Sequence, residues 1–190
     1  MSKSEVKIYH GAIVCKEAKL RGDVTVGSMT VIHPCATIIA EAGPVVIGDG
    51  NIIEEQVIIV NRLPENGETS EETPVLRIGN NNVFEVGSVV ESTSIGDNNV
   101  LECKSYIGPG VNLGNNSVVG AGCRLTIPEQ VSDNMMVYGK NCARKITSDK
   151  PPNQYLQREF LTKVLPNYHL LKKSRISASQ GSSQTKEDKG

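Results

Sequence analysis

From Ile95 to Cys142 the chain repeats itself every six residues. An aliphatic residue opens each unit, at Ile95, Leu101, Ile107, Leu113, Val119, Leu125, Val131 and Val137, and Gly, Asn, Asp or another turn-forming residue crowds the places behind it. A helical period of 3.6 residues scatters positions six apart around the axis, and simple strand alternation does not interrupt itself at fixed intervals. A sustained hexapeptide period fits an all-β solenoid, the parallel β-helix. Six residues make one short strand and one corner, and three such units close a triangular coil. The aliphatic side chain points inward and stacks on its equivalents in neighbouring coils, about 4.8 Å away. Gly96, Gly108, Gly114 and Gly120 follow it, where a bend is least strained for a residue without Cβ. Four places after the aliphatic, Ser105, Val111, Ser117 and Cys123 are small or compact, as a crowded corner requires.

The same register starts early, at Ile8, Val14, Leu20, Val26, Ile32 and Ile38, with the small companions Ala12, Ala18, Val24, Thr30, Ala36 and Ala42. Gly43-Pro44 shifts it by three residues, and it resumes at Ile47, Ile53 and Ile59. The stretch 60–76, with Pro64, Asn66, Gly67 and several Glu, has the composition of a loop inserted at one corner. Ile78, Phe84 and Val90 restart the period, which loses one residue before Ile95. Twenty hexads therefore predict six to seven coils within residues 1–147. Because hexads begin within the first ten residues, the N-terminal coil is expected to be covered by another subunit.

Past residue 142 the period ends. Ser148-Asp149-Lys150-Pro151-Pro152 supplies a capping residue and prolines suited to a first helical turn. Leu156, Phe160, Leu161, Val164 and Leu165 then fall at helical spacing, with Pro166 expected to end or kink the helix. The segment 148–171 is accordingly read as a C-terminal α-helix packed on the β-helix. The same stripe would equally serve a partner-binding amphipathic helix. Residues 172–190, rich in Ser, Lys and Gln without apolar period, are expected to form a disordered tail.

A formal net charge of −1 over 190 residues supplies no basic field for nucleic acid. The sequence shows no signal peptide and no apolar run long enough to span a membrane. Five cysteines without CxxC spacing suit reduced thiols of the cytoplasm, so Cys15, Cys35, Cys103, Cys123 and Cys142 are read as small core or corner residues. His10, His33 and His169 share no spacing. His33, directly after Ile32, is the one candidate general base, and is read instead as a surface or corner imidazole. The runs Asn80 to Asn82 and Asp97 to Asn99 are read as turn chemistry at hexad corners.

Leu20-Arg21-Gly22-Asp23-Val24 resembles the Arg-Gly-Asp strand of the γ-carbonic-anhydrase-like hexapeptide family, and Asn51-Ile52-Ile53-Glu54-Glu55 resembles that family's Asn-x-x-Ile-Gln-Asp segment. The resemblance implies a left-handed coil. In metal-binding members three histidines hold the ion, and their places fall here at Val60, Asn80 and Glu85. A catalytic zinc site needs three strong ligands and one open position, which Val, Asn and a single Glu do not provide. No metal or other cofactor is therefore expected, and Arg21 and Asp23 are expected to persist as a structural ion pair. The alternative is a γ-carbonic-anhydrase-like metalloenzyme or hexapeptide acyltransferase with a degenerate or unrecognised site.

Further segments, Ile32-His33-Pro34, Ala40 to Pro44, Asn82 to Gly87 and Leu165 to Lys173, resemble the β-helical subunits of the dynactin pointed-end complex. That resemblance implies a non-catalytic subunit beside a β-helical paralogue, dynactin subunit five, and near the pointed-end actin-related protein and dynactin subunit four. It further implies a cytoplasmic, cytoskeleton-associated place in dynein–dynactin cargo attachment and microtubule-based transport, with neither nucleic acid nor membrane insertion.

Overall fold

A computed structural model describes residues 5–62, 73–152 and 154–173. Each hexad becomes one strand. The first coil holds β1 (Val6–Ile8), β2 (Ile13–Val14) and β3 (Lys19–Arg21), and the second β4 (Val24–Val26), β5 (Val31–Ile32) and β6 (Thr37–Ala40). The third holds β7 (Val45–Ile47), β8 (Ile52–Ile53) and β9 (Ile58–Asn61), and the fourth β10 (Leu76–Ile78), β11 (Val83–Phe84) and β12 (Val89–Val90). The fifth holds β13 (Ser94–Ile95), β14 (Val100–Leu101) and β15 (Tyr106–Ile107), and the sixth β16 (Val111–Leu113), β17 (Val118–Val119) and β18 (Arg124–Leu125). A seventh, incomplete coil has β19 (Glu129–Val131) and β20 (Met135–Tyr138). Every third strand pairs in parallel, so three faces result: β1 to β19, β2 to β20 and β3 to β18. This matches the expected parallel β-helix of six to seven coils.

The aliphatic that opens each hexad is buried in one continuous core, with only Leu20, in the first coil, half-exposed. Each fully buried Val, Ile or Leu contributes about 1.5–3 kcal/mol by leaving water.

The corners differ in detail from the expectation. The glycines behind the aliphatics are not where the chain enters left-handed backbone. A Cβ on Gly96 would lie 2.5 Å from the Gly114 carbonyl oxygen, so close approach of the next coil excludes a side chain there. Positive φ falls two residues later, at Asn81 (54°), Asn98 (56°) and Asn116 (54°). The three consecutive asparagines 80–82 thus have three uses. Asn81 supplies the left-handed turn, and Asn80 joins an exposed ladder described below. Asn82 is fully buried: its N–H and Nδ2 both donate to Asn51 Oδ1 (2.9 and 3.0 Å), and its own Oδ1 accepts the Asn99 N–H (2.8 Å). Asn99 Oδ1 passes the pattern to the Ser117 N–H at 2.8 Å. Turn chemistry alone therefore does not account for these runs.

At the end of the solenoid β20 turns back into β21 (Ala143–Ile146), an antiparallel pairing that the hexad period does not announce. Helix α1 spans Tyr155–Tyr168, beginning later than expected, and neither Ser148 nor Asp149 caps it; the N-cap is Gln154, without a side-chain cap bond. Two consecutive prolines hold the residues before them out of helical backbone, so 148–152 precedes the helix. Pro166 does not end α1 either, because it lies in the last turn and removes only the bond its N–H would give to the Thr162 carbonyl. The tail beyond 173 and residues 63–72 of the expected loop lie outside the described residues.

Candidate interaction surfaces

The residues at the family's ligand positions are spread over the three faces. Val60 is buried in β9, in register with Ile39. Asn80 follows β10 and belongs to a ladder of alternating Asp and Asn. Asp49 donates its N–H to Asn80 Oδ1 (2.8 Å), Asn80 donates to Asp97 Oδ1 (2.6 Å), and Asp97 donates to Asn115 Oδ1 (2.7 Å). Alternation keeps like charges from stacking directly on one another. Glu85 follows β11, and its Oε2 accepts the Cys103 N–H at 2.9 Å. Glu54 and Glu102 repeat that bond one coil to either side, to the N–H groups of Val86 (3.1 Å) and Ala121 (2.9 Å). Burial pushes the Glu54 carboxyl up, despite the Val86 N–H. Asn80 and Glu85 are thus bound to neighbouring coils and Val60 to the packing of β9; the three do not converge.

Arg21 and Asp23 do not form the expected ion pair. They flank Gly22, whose φ of 83° turns the chain from one face to the next, and among the described residues no ion pair joins them. Asp23 contributes its carbonyl to the Val45 N–H at 2.9 Å. His33 is a corner residue but not a surface one: it is 8 % exposed, with Nδ1 at 2.9 Å from Glu55 Oε1. Burial raises that carboxylate most, but the His33 bond, the Glu55 backbone N–H and the nearby imidazoles together hold it below its ordinary range. His10 is exposed, and His169 Nδ1 lies 3.5 Å from Glu17 Oε1.

The outward residue of each strand, the one before the inward aliphatic, distinguishes the faces. On the first face these are Lys7, Thr25, Val46, Arg77, Ser94, Asn112 and Gln130, mostly polar. On the second they are Ile13, Val31, Ile52, Val83, Val100, Val118 and Met136, apolar throughout. The chain's own C-terminal segment explains this. Pro151 and Pro152 lie beside Val83 and Val100, and Leu161, Leu165 and Leu171 pack on Ile13, Cys15 and Val31. Arg158 pins α1 through Nη1 to the Gly50 carbonyl (2.8 Å) and Asn81 Oδ1 (2.9 Å). Burial, then Glu17 and Glu55, pushes the Cys15 thiol up to about 11. Only part of the apolar stripe is used: Leu156 and Phe160 remain 77 % and 61 % exposed.

The segment after α1 also finishes the first coil. Lys16 donates its N–H to the Leu170 carbonyl (2.7 Å), and Lys172 donates to that of Val14 (2.8 Å). The edge of β2 is therefore covered from within, by the chain's own C-terminal segment, where another subunit was expected. The edges of β1 and β3 carry no further strand among the described residues. Beside them a cavity of about 490 Å³ is lined by Val6, Ile8, Leu20 and Leu171 with Lys16 and Lys172.

The third face is mixed. Its outward residues are Lys19, Thr37, Ile58, Val89, Tyr106 and Arg124. Tyr106 donates its hydroxyl to Glu91 Oε2 (2.6 Å), Arg62 donates Nε to Glu91 Oε1 (3.0 Å), and the Arg124 guanidinium stacks 4.1 Å from the Tyr106 ring centre. Burial raises the Glu91 carboxyl, but the Tyr106 hydroxyl and Arg62 outweigh it and hold it below its ordinary range.

Sequence comparison places these features in a family. Residues 92–126 match the bacterial transferase hexapeptide (six repeats) family. In fold the chain is similar to a hexapeptide transferase family protein from Anaplasma phagocytophilum, with a TM-score of 0.56 at 16 % identity over 86 % of this chain and 94 % of that one. Much closer in sequence are dynactin subunit 6 of Nematostella vectensis, 52 % identical over 91 % of this chain and 95 % of the relative, and dynactin subunit 6 of Danio rerio, 49 % identical over 90 % of each. A β-helix whose own C-terminal helix packs on its apolar second face, with such identity along nearly its whole length, belongs to the dynactin subunit 6 family.

Proposed function

We propose that the chain is a non-catalytic structural subunit of dynactin, cytoplasmic and cytoskeleton-associated. It pairs with a β-helical paralogue, dynactin subunit five, close to the pointed-end actin-related protein and dynactin subunit four, and supports cargo-adaptor attachment in dynein-driven transport. The observation that carries the reading is the use made of Val60, Asn80 and Glu85. Each is committed to packing or to a coil-to-coil hydrogen bond, on a different face, so none is held ready for a ligand. The edges of β1 and β3, with the apolar cavity beside them, are where a second β-helix would continue the ladders.

Expression of the chain alone and with the β-helical paralogue, followed by light scattering and elemental analysis, tests the proposal. A metal-free one-to-one heterodimer is the expected result. A homotrimer holding stoichiometric zinc would overturn it.

A further inference from the structure

We infer that the third face is a docking surface for an acidic amphipathic helix from another subunit. The inference rests on the subunit reading above and names the surface and the chemistry of what it meets. Of the three faces, the first is polar and the second is covered by the chain itself. The third keeps an apolar centre, Ile58 (40 % exposed) beside the half-buried Val89 and Tyr106, bounded by Lys19 at one end and Arg124 at the other. These outward positions carry two cations and no anion. The nearest carboxylate, Glu91, is already engaged by Tyr106 and Arg62. No ion pair occupies Arg124 among the described residues, and its stacking on Tyr106 fixes the guanidinium in place. Tyrosine and arginine held rigid before binding are the residue types that carry interface energy, since little side-chain freedom is then lost.

Backbone chemistry selects a helix as the occupant. Along this face the N–H and C=O groups of the strands are spent on the neighbouring coils, as where Val89 donates to the Ser105 carbonyl (2.9 Å) and Tyr106 to that of Cys123 (2.9 Å). An extended segment laid across the face would leave its own backbone groups unpaired against Ile58 and Val89, whereas a helix satisfies them internally. The molecule already uses this solution on its second face, where α1 covers Ile13 and Val31 and is anchored by one arginine. From Ile58 to Arg124 is three coil spacings, about 14 Å, which a helix covers in about nine or ten residues. The occupant therefore presents apolar side chains to Ile58 and Val89 and, about two to three turns away, a carboxylate to Arg124.

The test replaces Ile58 with the photo-crosslinking residue benzoylphenylalanine in the full chain reconstituted into purified dynactin, with Asn112 on the first face as control. Mass spectrometry is expected to place the Ile58 cross-link on a helical segment of another chain bearing Asp or Glu. Arg124→Glu should lower its yield about tenfold, as expected for a repulsive charge at a complementary contact, and Arg77→Glu should leave it unchanged. Incorporation without a cross-link at position 58, a cross-link to a basic segment, or a cross-link to a second copy of this chain would overturn the assignment. Failure of the unmodified chain to incorporate would instead overturn the subunit reading.

Discussion

Replacing Asn82 and Asn80 separately by alanine tests whether the two asparagines, two residues apart, do different things. Asn82→Ala leaves the buried Asn99 N–H without its acceptor and removes the Nδ2 bond to Asn51. An orphaned buried amide costs about 1–3 kcal/mol and a lost buried bond about 1 kcal/mol. The unfilled space adds about 1 kcal/mol, for a total of about 4 kcal/mol. Asn80→Ala frees the Asp49 N–H to water in an exposed corner and should cost under about 1 kcal/mol. With an m-value of about 2 kcal/mol/M in urea, the first variant should lower the midpoint by about 2 M and the second by less than about 0.5 M. Amide hydrogen exchange gives a local check: the Asn99 amide should lose protection in Asn82→Ala and keep it in Asn80→Ala. Equal costs for the two variants, or an Asn99 amide still protected in Asn82→Ala, would refute the division of labour.

Leu165→Ala should destabilise the isolated chain by about 2–4 kcal/mol through the cavity it opens over Cys15 and Val31, while Phe160→Ser should change stability by less than about 0.5 kcal/mol; thermal unfolding distinguishes them. Thiol labelling with Ellman's reagent at pH 8 should modify the exposed Cys35 quickly and leave Cys15 unmodified, and Leu165→Asp should release Cys15 to the reagent. The Glu91 carboxyl, depressed in the folded chain, stabilises the fold above its unfolded value near pH 4.5, and that contribution fades as pH falls through the lower folded value. Arg62→Met should therefore cost more stability at pH 7 than at pH 3, as measured by urea midpoints. Glu54 has the opposite sign: its raised carboxyl makes Glu54→Gln stabilising at pH 7, with the gap closing below pH 5.

The inward aliphatics were legible because burial repeats at a fixed interval, and Ile8 to Val137 sit where the hexad places them. The assignment of faces was written one residue earlier in each hexad. Apolar doublets such as Ile13-Val14, Val31-Ile32, Ile52-Ile53 and Val83-Phe84 recur without a break at every third hexad on one face only, the face on which α1 and the segment before it lie. Attention to single hexads conceals that second period. The fate of Asn80, Asn81 and Asn82 was not legible, because one residue type suits an exposed ladder, left-handed backbone and a buried amide ladder equally well; only position in the coil separates them. The Arg21–Asp23 pair failed for a related reason: spacing in sequence is silent about the turn at Gly22 that parts them. The bond of Lys172 to Lys16 joins residues 156 apart, beyond the reach of any local pattern.

That same contact changes the kind of object this solenoid is. A stack of coils frays from its two ends, each coil depending only on its neighbours. Here the chain leaves the last coil through β21, runs back along the second face, and fastens to β2 in the first. The open column becomes a closed circuit, so peeling either terminus first requires the strap to let go. On the ribosome the consequence reverses: the first coil is made early, yet Ile13 and Val31 wait for residues 161 to 172 before their outer side is covered. Coils accumulate as the chain emerges, but this part of the second face stays bare until residues 161 to 172 have followed. The nascent column is therefore most adhesive just before it is complete, and the last turn of α1 acts as the latch that ends that interval.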